Sequence, residues 1–435
     1  MKPLFAISCP IDTYSGYGAR SRDIVKAIIN QGEYDVKILP QRWGETAWGF
    51  IEDHPEWDFL KPHLLPPLSN QLPKKPEIWC QITVPNEFSP VGIYNIGITA
   101  GIETTIASAP WVEGINRMDL NLVSSNHSKN TFLNSTFEQQ NPQGQKIGEI
   151  KATKPIEVLF EGADLNTYFP KKSEFDLEKI EENFTFLYVG HWLNGELGED
   201  RKNTGMMVKS FFDAFKNKKN PPALILKTSG GRSSYMDREA ILNKIFQIRN
   251  TIEDAKTFPN VYLLHGDFSN REINELYNHK KVKAMISMTK GEGFGRPLLE
   301  FSLTKKPIIA TNWSGHIDFL SPQFTSLVSG ELTQLHGSSV VKDVLIPESS
   351  WFSANYKEFT YCLRDMFENY KGYKEKAVRQ AFQSKSNFSF KNMEDQLKQY
   401  MDTFLPDFPK PVKLKLPKLK KIELPKLKKV ENVEG

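Results

Sequence analysis

Alternation governs this chain. Short apolar runs at residues 4 to 8, 36 to 39, 78 to 84, 94 to 100, 120 to 124 and 156 to 160 are separated by loops and by helix-spaced stretches. Residues 19 to 30 place Ile24, Ala27 and Ile28 on one helical face, and Ser125-Asn126 is placed to cap a helix running to 133. The pattern then restarts. Strand-like runs at 184 to 189, 223 to 227, 261 to 264, 284 to 287 and 307 to 311 alternate with helical patterns at 204 to 215, 237 to 250, 270 to 278 and 297 to 303. Strands alternating with helices of this length predict parallel sheets built from βαβ units.

Two such blocks in series predict two Rossmann-like, doubly wound α/β domains facing a cleft at their strand C-terminal ends. The expected boundaries are 1–165, 166–350, a helical segment at 351–404 packing back on the domain pair, and a disordered basic tail at 405–435. A chain of 435 residues is too long for one ordinary core and suits two. In the tail, Leu416-Pro417-Lys418-Leu419-Lys420-Lys421 recurs as Leu424-Pro425-Lys426-Leu427-Lys428-Lys429. Proline every eight residues argues against a helix there. From residue 409 onward nine Lys meet three Glu, a +6 excess in a chain of net charge +4, so the rest is nearly neutral. The tail reads either as a tether to an anionic membrane or nucleic acid or as a solvated solubilising segment.

Cys9, Cys80 and Cys362 are far apart and lack metal-ligand spacing, which predicts a reducing, cytoplasmic setting without disulfides. The N-terminal apolar stretch reads as a first strand, and no run approaches the length of a membrane span, so any membrane association is expected to be peripheral. No Asp-x-Asp triplet occurs, so neither a metal nor another cofactor is expected.

Chemistry concentrates at Gly291-Glu-Gly-Phe-Gly-Arg-Pro-Leu-Leu-Glu300. Three glycines after a strand let backbone approach a ligand, and Pro297 suits the first turn of a helix whose N-terminus favours phosphate. Glu292 is expected at the strand–loop edge facing the cleft, and Glu300 in the first helical turn, within reach of sugar hydroxyls. On spacing alone the run reads equally as a Gly-rich turn with two solvated glutamates.

Glu292-Gly-Phe-Gly-Arg-Pro-Leu-Leu-Glu300 resembles the E-x7-E motif of GT-B, retaining glycosyltransferases of family 4. Lys306-Pro-Ile-Ile-Ala-Thr-Asn-Trp-Ser-Gly-His-Ile-Asp-Phe319 is similar to the strand and loop that follow in that family, and Val158-Leu-Phe-Glu-Gly-Ala-Asp-Leu-Asn-Thr-Tyr-Phe-Pro170 to its interdomain segment. Ile98-Thr-Ala-Gly-Ile-Glu-Thr-Thr105, with Trp111 and Asn116-Arg-Met-Asp119, resembles an N-domain pattern of a subset with a Glu-Thr pair.

The resemblance implies a nucleotide-sugar donor, retention by front-face attack, and roles for matched positions. Glu292 would contact the donor sugar. Gly293, Phe294, Gly295 and Arg296 would line the donor site, and Glu300 would bind ribose. Arg201-Lys202-Asn203 is similar to the Arg-Lys-Gly whose lysine stabilises the leaving diphosphate. The family often carries Gly-Arg after the first C-domain strand. This chain has Gly190-His191-Trp192, followed by an insertion, and either Arg201 or Lys227 would supply the second cation. Gly16 and Gly18, in Ser15-Gly-Tyr-Gly18, match a glycine loop near donor and acceptor.

For the acceptor, Glu103 is a candidate for hydroxyl binding or for a backbone bond in its loop. His127 is a further candidate, though a lone histidine is more often structural. Acceptor identity stays open among glycan, lipid, protein and modified DNA base. A catalytically silent GT-B scaffold that binds nucleotide or glycan is the alternative.

Overall fold

The computed structural model describes residues 2–66, 72, 74–193, 195–230 and 233–408. The tail repeat at 416–429 lies outside them. In the first lobe, β1 (Leu4–Cys9) is buried along its whole length, as expected of a parallel strand covered on both faces. It runs into α1 (Gly16–Gln31), and β2 (Asp35–Pro40), a short α2 (Phe50–Asp53), β3 (Ile78–Ile82) and β4 (Tyr94–Thr99) follow. Then come α3 (Ala109–Arg117), β5 (Leu120–Val123), α4 (Asn126–Asn134), an antiparallel hairpin of β6 (Phe137–Gln140) and β7 (Lys146–Ile150), and β8 (Ile156–Val158). Six strands form one parallel sheet in the order β2-β1-β3-β4-β5-β8. Ser125 caps α4 by accepting from the Ser128 N–H.

The second lobe comprises β9 (Thr185–Val189), α5 (Thr204–Phe215), β10 (Ala223–Lys227), α6 (Tyr235–Asn250), β11 (Val261–Leu264), α7 (Asn270–Asn278), β12 (Val282–Ser287), α8 (Arg296–Ser302), β13 (Ile308–Thr311) and β14 (Ser326–Val328). Its six strands run parallel in the order β11-β10-β9-β12-β13-β14. The order reverses between β9 and β12. Ligands of doubly wound sheets settle outside the carboxyl ends of strands at such a point.

A second hairpin, β15 (Gly330–Gln334) with β16 (Ser350–Ala354), leaves the second lobe and reaches the first. Ser350 N donates to Thr105 Oγ1 at 2.9 Å, and Ser108 Oγ donates to the Asp343 carbonyl at 2.7 Å. Val344 and Leu345, at the hairpin tip, pack on the apolar cluster that contains Trp111.

The C-terminal segment is three helices, α9 (Tyr356–Glu368), α10 (Tyr370–Asn387) and α11 (Phe390–Phe404). Phe359, Leu363 and Met366 of α9 belong to the second lobe's core. Met393, Leu397 and Met401 of α11 belong instead to the first lobe's core, against Ile24 and Ile28 of α1. The chain therefore crosses between lobes twice. The crossings are hydrogen-bonded to each other, Ala163 N to the Phe388 carbonyl at 2.9 Å and Phe390 N to the Ala163 carbonyl at 2.8 Å. Among the described residues no helix is long and apolar enough to cross a membrane.

Candidate active site

The loops leaving β9 and β12 meet at the order reversal. Lys202 lies just before α5, and its Nζ donates to both carboxylate oxygens of Glu292, at 2.6 and 2.7 Å. Arg201 Nη1 donates to the Gly291 carbonyl at 2.9 Å, stands 3.6 Å from Glu292 Oε2, and pairs at 3.0 Å with Glu103 of the first lobe. The Lys202 and Glu292 side chains are only 17% and 13% exposed. Burial raises the Glu292 carboxyl, but Lys202 and Arg201 outweigh it and hold the group at about 2.

The glycine-rich turn faces the first lobe. A Cβ on Gly293 would stand 2.8 Å from the Ala100 carbonyl oxygen, so only glycine permits this approach. Ser124 Oγ donates to the Gly293 carbonyl at 3.0 Å. Ala100 N in turn donates to Tyr17 Oη at 3.1 Å, which ties the turn to the Ser15-Gly16-Tyr17-Gly18 loop. Gly16 and Gly18 open α1. The space beside Gly16 is free, whereas a side chain on Gly18 would strike the Thr13 carbonyl at 2.3 Å.

The Phe294 ring is 2% exposed and packs 5.0 Å from Phe319, so only its backbone faces the turn. Gly295 is the N-cap of α8 in a left-handed conformation. With seven residues α8 carries a modest dipole, so the attraction for an anion falls mainly to the side-chain cations.

Glu300 and Arg296 form a second buried group. Arg296 Nε donates to Glu300 Oε1 at 2.8 Å, while its Nη1 reaches Asp23 Oδ2 of α1 at 2.5 Å. Burial drives the Glu300 carboxyl up to about 7 against the opposing pull of Arg296. A carboxyl whose folded value exceeds its unfolded one binds more protons when folded, so stability falls as pH rises from about 4.5 to about 7. Glu300→Gln is expected to remove that slope. Denaturation midpoints at pH 5 and pH 8 should differ less in the variant than in the parent, and an unchanged difference would refute the assignment.

Lys227 is not drawn into the Glu292 group. Its Nζ donates to the Gly266 carbonyl at 2.7 Å and lies 4.8 Å from the Phe268 ring centre. His191 Nδ1 lies 3.3 Å from Ser229 Oγ, and burial together with Lys202 and Lys227 holds its imidazole below the usual value. The half-buried His127 has its ring 5.0 Å from that of Trp313, and its Nε2 has no partner among the described residues. Burial pulls this imidazole down to about 4.

Several contributors carried no local signal in the sequence. Ser314, at φ 73, accepts from Glu292 N at 2.8 Å, and Gly315 N donates back to the Glu292 carbonyl at 2.9 Å. These two bonds hold the serine in a sparsely populated backbone region. His316 is fully buried, and its Nε2 lies 2.6 Å from the Thr311 carbonyl. Ser314, Gly315 and His316 sit inside the family-like stretch 306–319, which is the one cue that pointed to them. Glu161 likewise sits inside the family-like stretch 158–170, whereas Asp23 had no cue. A cavity of about 630 Å³ lies between the lobes, lined by Tyr14, Asp53 and His54 on one side and Asp267, Phe268 and Arg271 on the other. It adjoins the Lys227–Phe268 corner rather than Glu292.

Neither a protein-family model nor a curated protein sequence matches the chain. Solved structures do. Anabaena Alr3699/HepE, in complex with UDP and glucose, is 13% identical and superposes with a TM-score of 0.56 over 92% of this chain and 100% of its own. Sucrose-phosphate synthase from Thermosynechococcus elongatus is 11% identical with a TM-score of 0.60, over 93% and 99%. The lipopolysaccharide outer core galactosyltransferase WaaB, in apo form, is 14% identical with a TM-score of 0.51, over 93% and 99%. With two parallel sheets apposed at their carboxyl edges and these structures matched over nearly their full length, the chain has the GT-B fold of glycosyltransferases.

Proposed function

We propose that this protein is a retaining, family 4-like glycosyltransferase that draws its sugar from a nucleoside diphosphate donor. The observation that carries the reading is Lys202 and Arg201 meeting Glu292 at the order reversal of the second sheet. A diphosphate beside Lys202, Arg201 and the backbone N–H groups of Gly293 and Gly295 has its growing charge stabilised as the glycosyl bond breaks. Glu292 accepts from donor-sugar hydroxyls, and Glu300 from the ribose. The complexes of HepE with UDP and with UDP-glucose support a donor of this class.

A carboxylate held at about 2 is too weak a base to take an acceptor proton near neutral pH. The departing phosphate is the stronger candidate for that proton, which fits front-face attack with retention. The acceptor is a glycan, lipid, protein or modified DNA base, with Glu103 and His127 on the first-lobe side of the cleft. The basic segment from 409 onward is proposed as a tether to an anionic surface.

His191, standing where the family often has Gly-Arg, favours a second reading, a catalytically silent protein that binds nucleotide or glycan. Purified protein heated with UDP, GDP or ADP at about 100 times Kd should melt about 2 °C or more higher with one of them. A nucleotide-sugar panel read by mass spectrometry should then show slow donor hydrolysis. A melting temperature indifferent to all three nucleotides would sink the donor reading, and binding without hydrolysis would favour the silent one.

A further inference from the structure

Arg296 engages three carboxylates at once. Nη1 meets Asp23 Oδ2 at 2.5 Å and stands 3.6 Å from Glu161 Oε2, while Nε meets Glu300 Oε1 at 2.8 Å. The four side chains are 19, 10, 12 and 7% exposed, in the order Arg296, Asp23, Glu161, Glu300. Each carboxylate belongs to a different part of the molecule. Asp23 lies on α1, which begins at the Gly16–Gly18 loop. Glu161 lies on the first crossover between lobes. Glu300 lies on α8, one turn beyond Arg296 itself.

A second guanidinium completes the arrangement. Arg20, one turn before Asp23 on α1, donates to the Phe160 carbonyl at 3.1 Å and the Leu159 carbonyl at 2.5 Å. It thereby holds the crossover that carries Glu161. A buried charge persists only when its partners satisfy it, and a planar guanidinium can serve several acceptors where an ammonium serves them poorly.

We propose that Asp23 and Glu161 are positioning residues for the donor: by gripping Arg296 they fix the Glu300 carboxylate for the nucleotide ribose and make apposition of the two lobes part of nucleotide binding. The proposal rests on the donor reading above in assigning ribose to Glu300. Its physical content is mechanical. Glu300 Oε1 is held by the same guanidinium that grips α1, so a ribose that fixes Glu300 also fixes Arg296, and through it the first lobe. The reverse holds by linkage: whatever loosens α1 from α8 weakens the nucleotide. Charges this deeply buried are screened little by salt.

The test compares the parent with Asp23→Asn, Glu300→Gln and the double variant. Each is titrated with UDP, GDP and ADP by calorimetry, with small-angle scattering in the presence and absence of the nucleotide that binds. Asp23→Asn is expected to weaken that nucleotide about ten-fold or more. It is also expected to raise the KM of donor hydrolysis more than it lowers kcat, and to widen the scattering envelope until nucleotide compacts it. In the double variant the losses should fall short of the product of the single losses, because the two residues act through one guanidinium.

If Asp23→Asn binds nucleotide with the parent's affinity, or if the two losses simply multiply, the coupling is refuted while the donor reading survives. If the parent binds none of the three nucleotides, the donor reading fails and the coupling with it. Should Asp23→Asn not fold, Glu161→Gln, whose contact with Arg296 is longer, takes its place under the same criteria.

Discussion

Glu292→Gln is expected to reduce sugar transfer to below about one-thousandth of the parent, the scale of losing a charged group that acts at the reacting centre. Nucleotide affinity should stay nearly unchanged. The amide keeps the size of the side chain and one acceptor oxygen. It cannot present two anionic oxygens to Lys202, whose Nζ now donates to both at 2.6 and 2.7 Å. The cations proposed to face the diphosphate remain, so the nucleotide portion should still bind, while the sugar would lose its proposed anionic acceptor. Single-turnover transfer measured beside calorimetry with the bare nucleotide separates the two effects. A variant that transfers at more than about a tenth of the parent rate would remove Glu292 from the reaction.

Lys202→Ala is expected to slow turnover by about two to four orders of magnitude. It also leaves Glu292 buried with Arg201, at 3.6 Å, as its one remaining ion-pair partner among the described residues. Breaking a buried ion pair from one side costs about 3–5 kcal/mol of stability. Loss of activity alone would therefore be ambiguous. The double variant Glu292→Gln with Lys202→Ala resolves it through nucleotide binding, which Glu292→Gln alone leaves nearly unchanged: removing both charges should restore much of the stability, while the nucleotide should still bind more weakly than to Glu292→Gln. If nucleotide affinity recovered with stability, Lys202 would be a structural lysine and its role at the diphosphate would be refuted.

Much of this fold is written locally. A run such as Leu4-Phe-Ala-Ile-Ser-Cys9, buried on both faces, has few alternatives to a central parallel strand, and its position before a glycine turn and a helix repeats in both lobes. The two hairpins were not legible. Phe-Glu-Gln-Gln of β6 pairs with an equally polar partner and is largely exposed, so no apolar alternation marks it. The strands β15 and β16 are recognisable only through what they touch on the other lobe.

The helical character of 354–402 was readable from composition and spacing. The sequence returns this segment to the domain pair, but does not say which of its helices meets the first lobe, because the apolar stripe of α11 fits either core. The site divides in the same way. Glu292, Glu300 and Lys202 stand in short motifs, but the Lys202–Glu292 bond spans 90 positions and the Arg296–Asp23 bond 273, and nothing local announces a partner so remote. Phe294 shows the opposite limit: the motif holds its position, yet its ring is spent on the core.

The placement of α11 has a consequence for synthesis. The first lobe's sheet is complete at Val158, but Met393, Leu397 and Met401, which close its core, are made only after the second lobe. At ribosomal speeds of about 5–20 residues per second, the apolar side of α1 waits on the order of tens of seconds for its cover. A nascent chain of this design emerges with an oily flank that α11 shields only after the second lobe has been made. Synthesis of α11, rather than completion of the first sheet, is the moment at which the first lobe becomes whole.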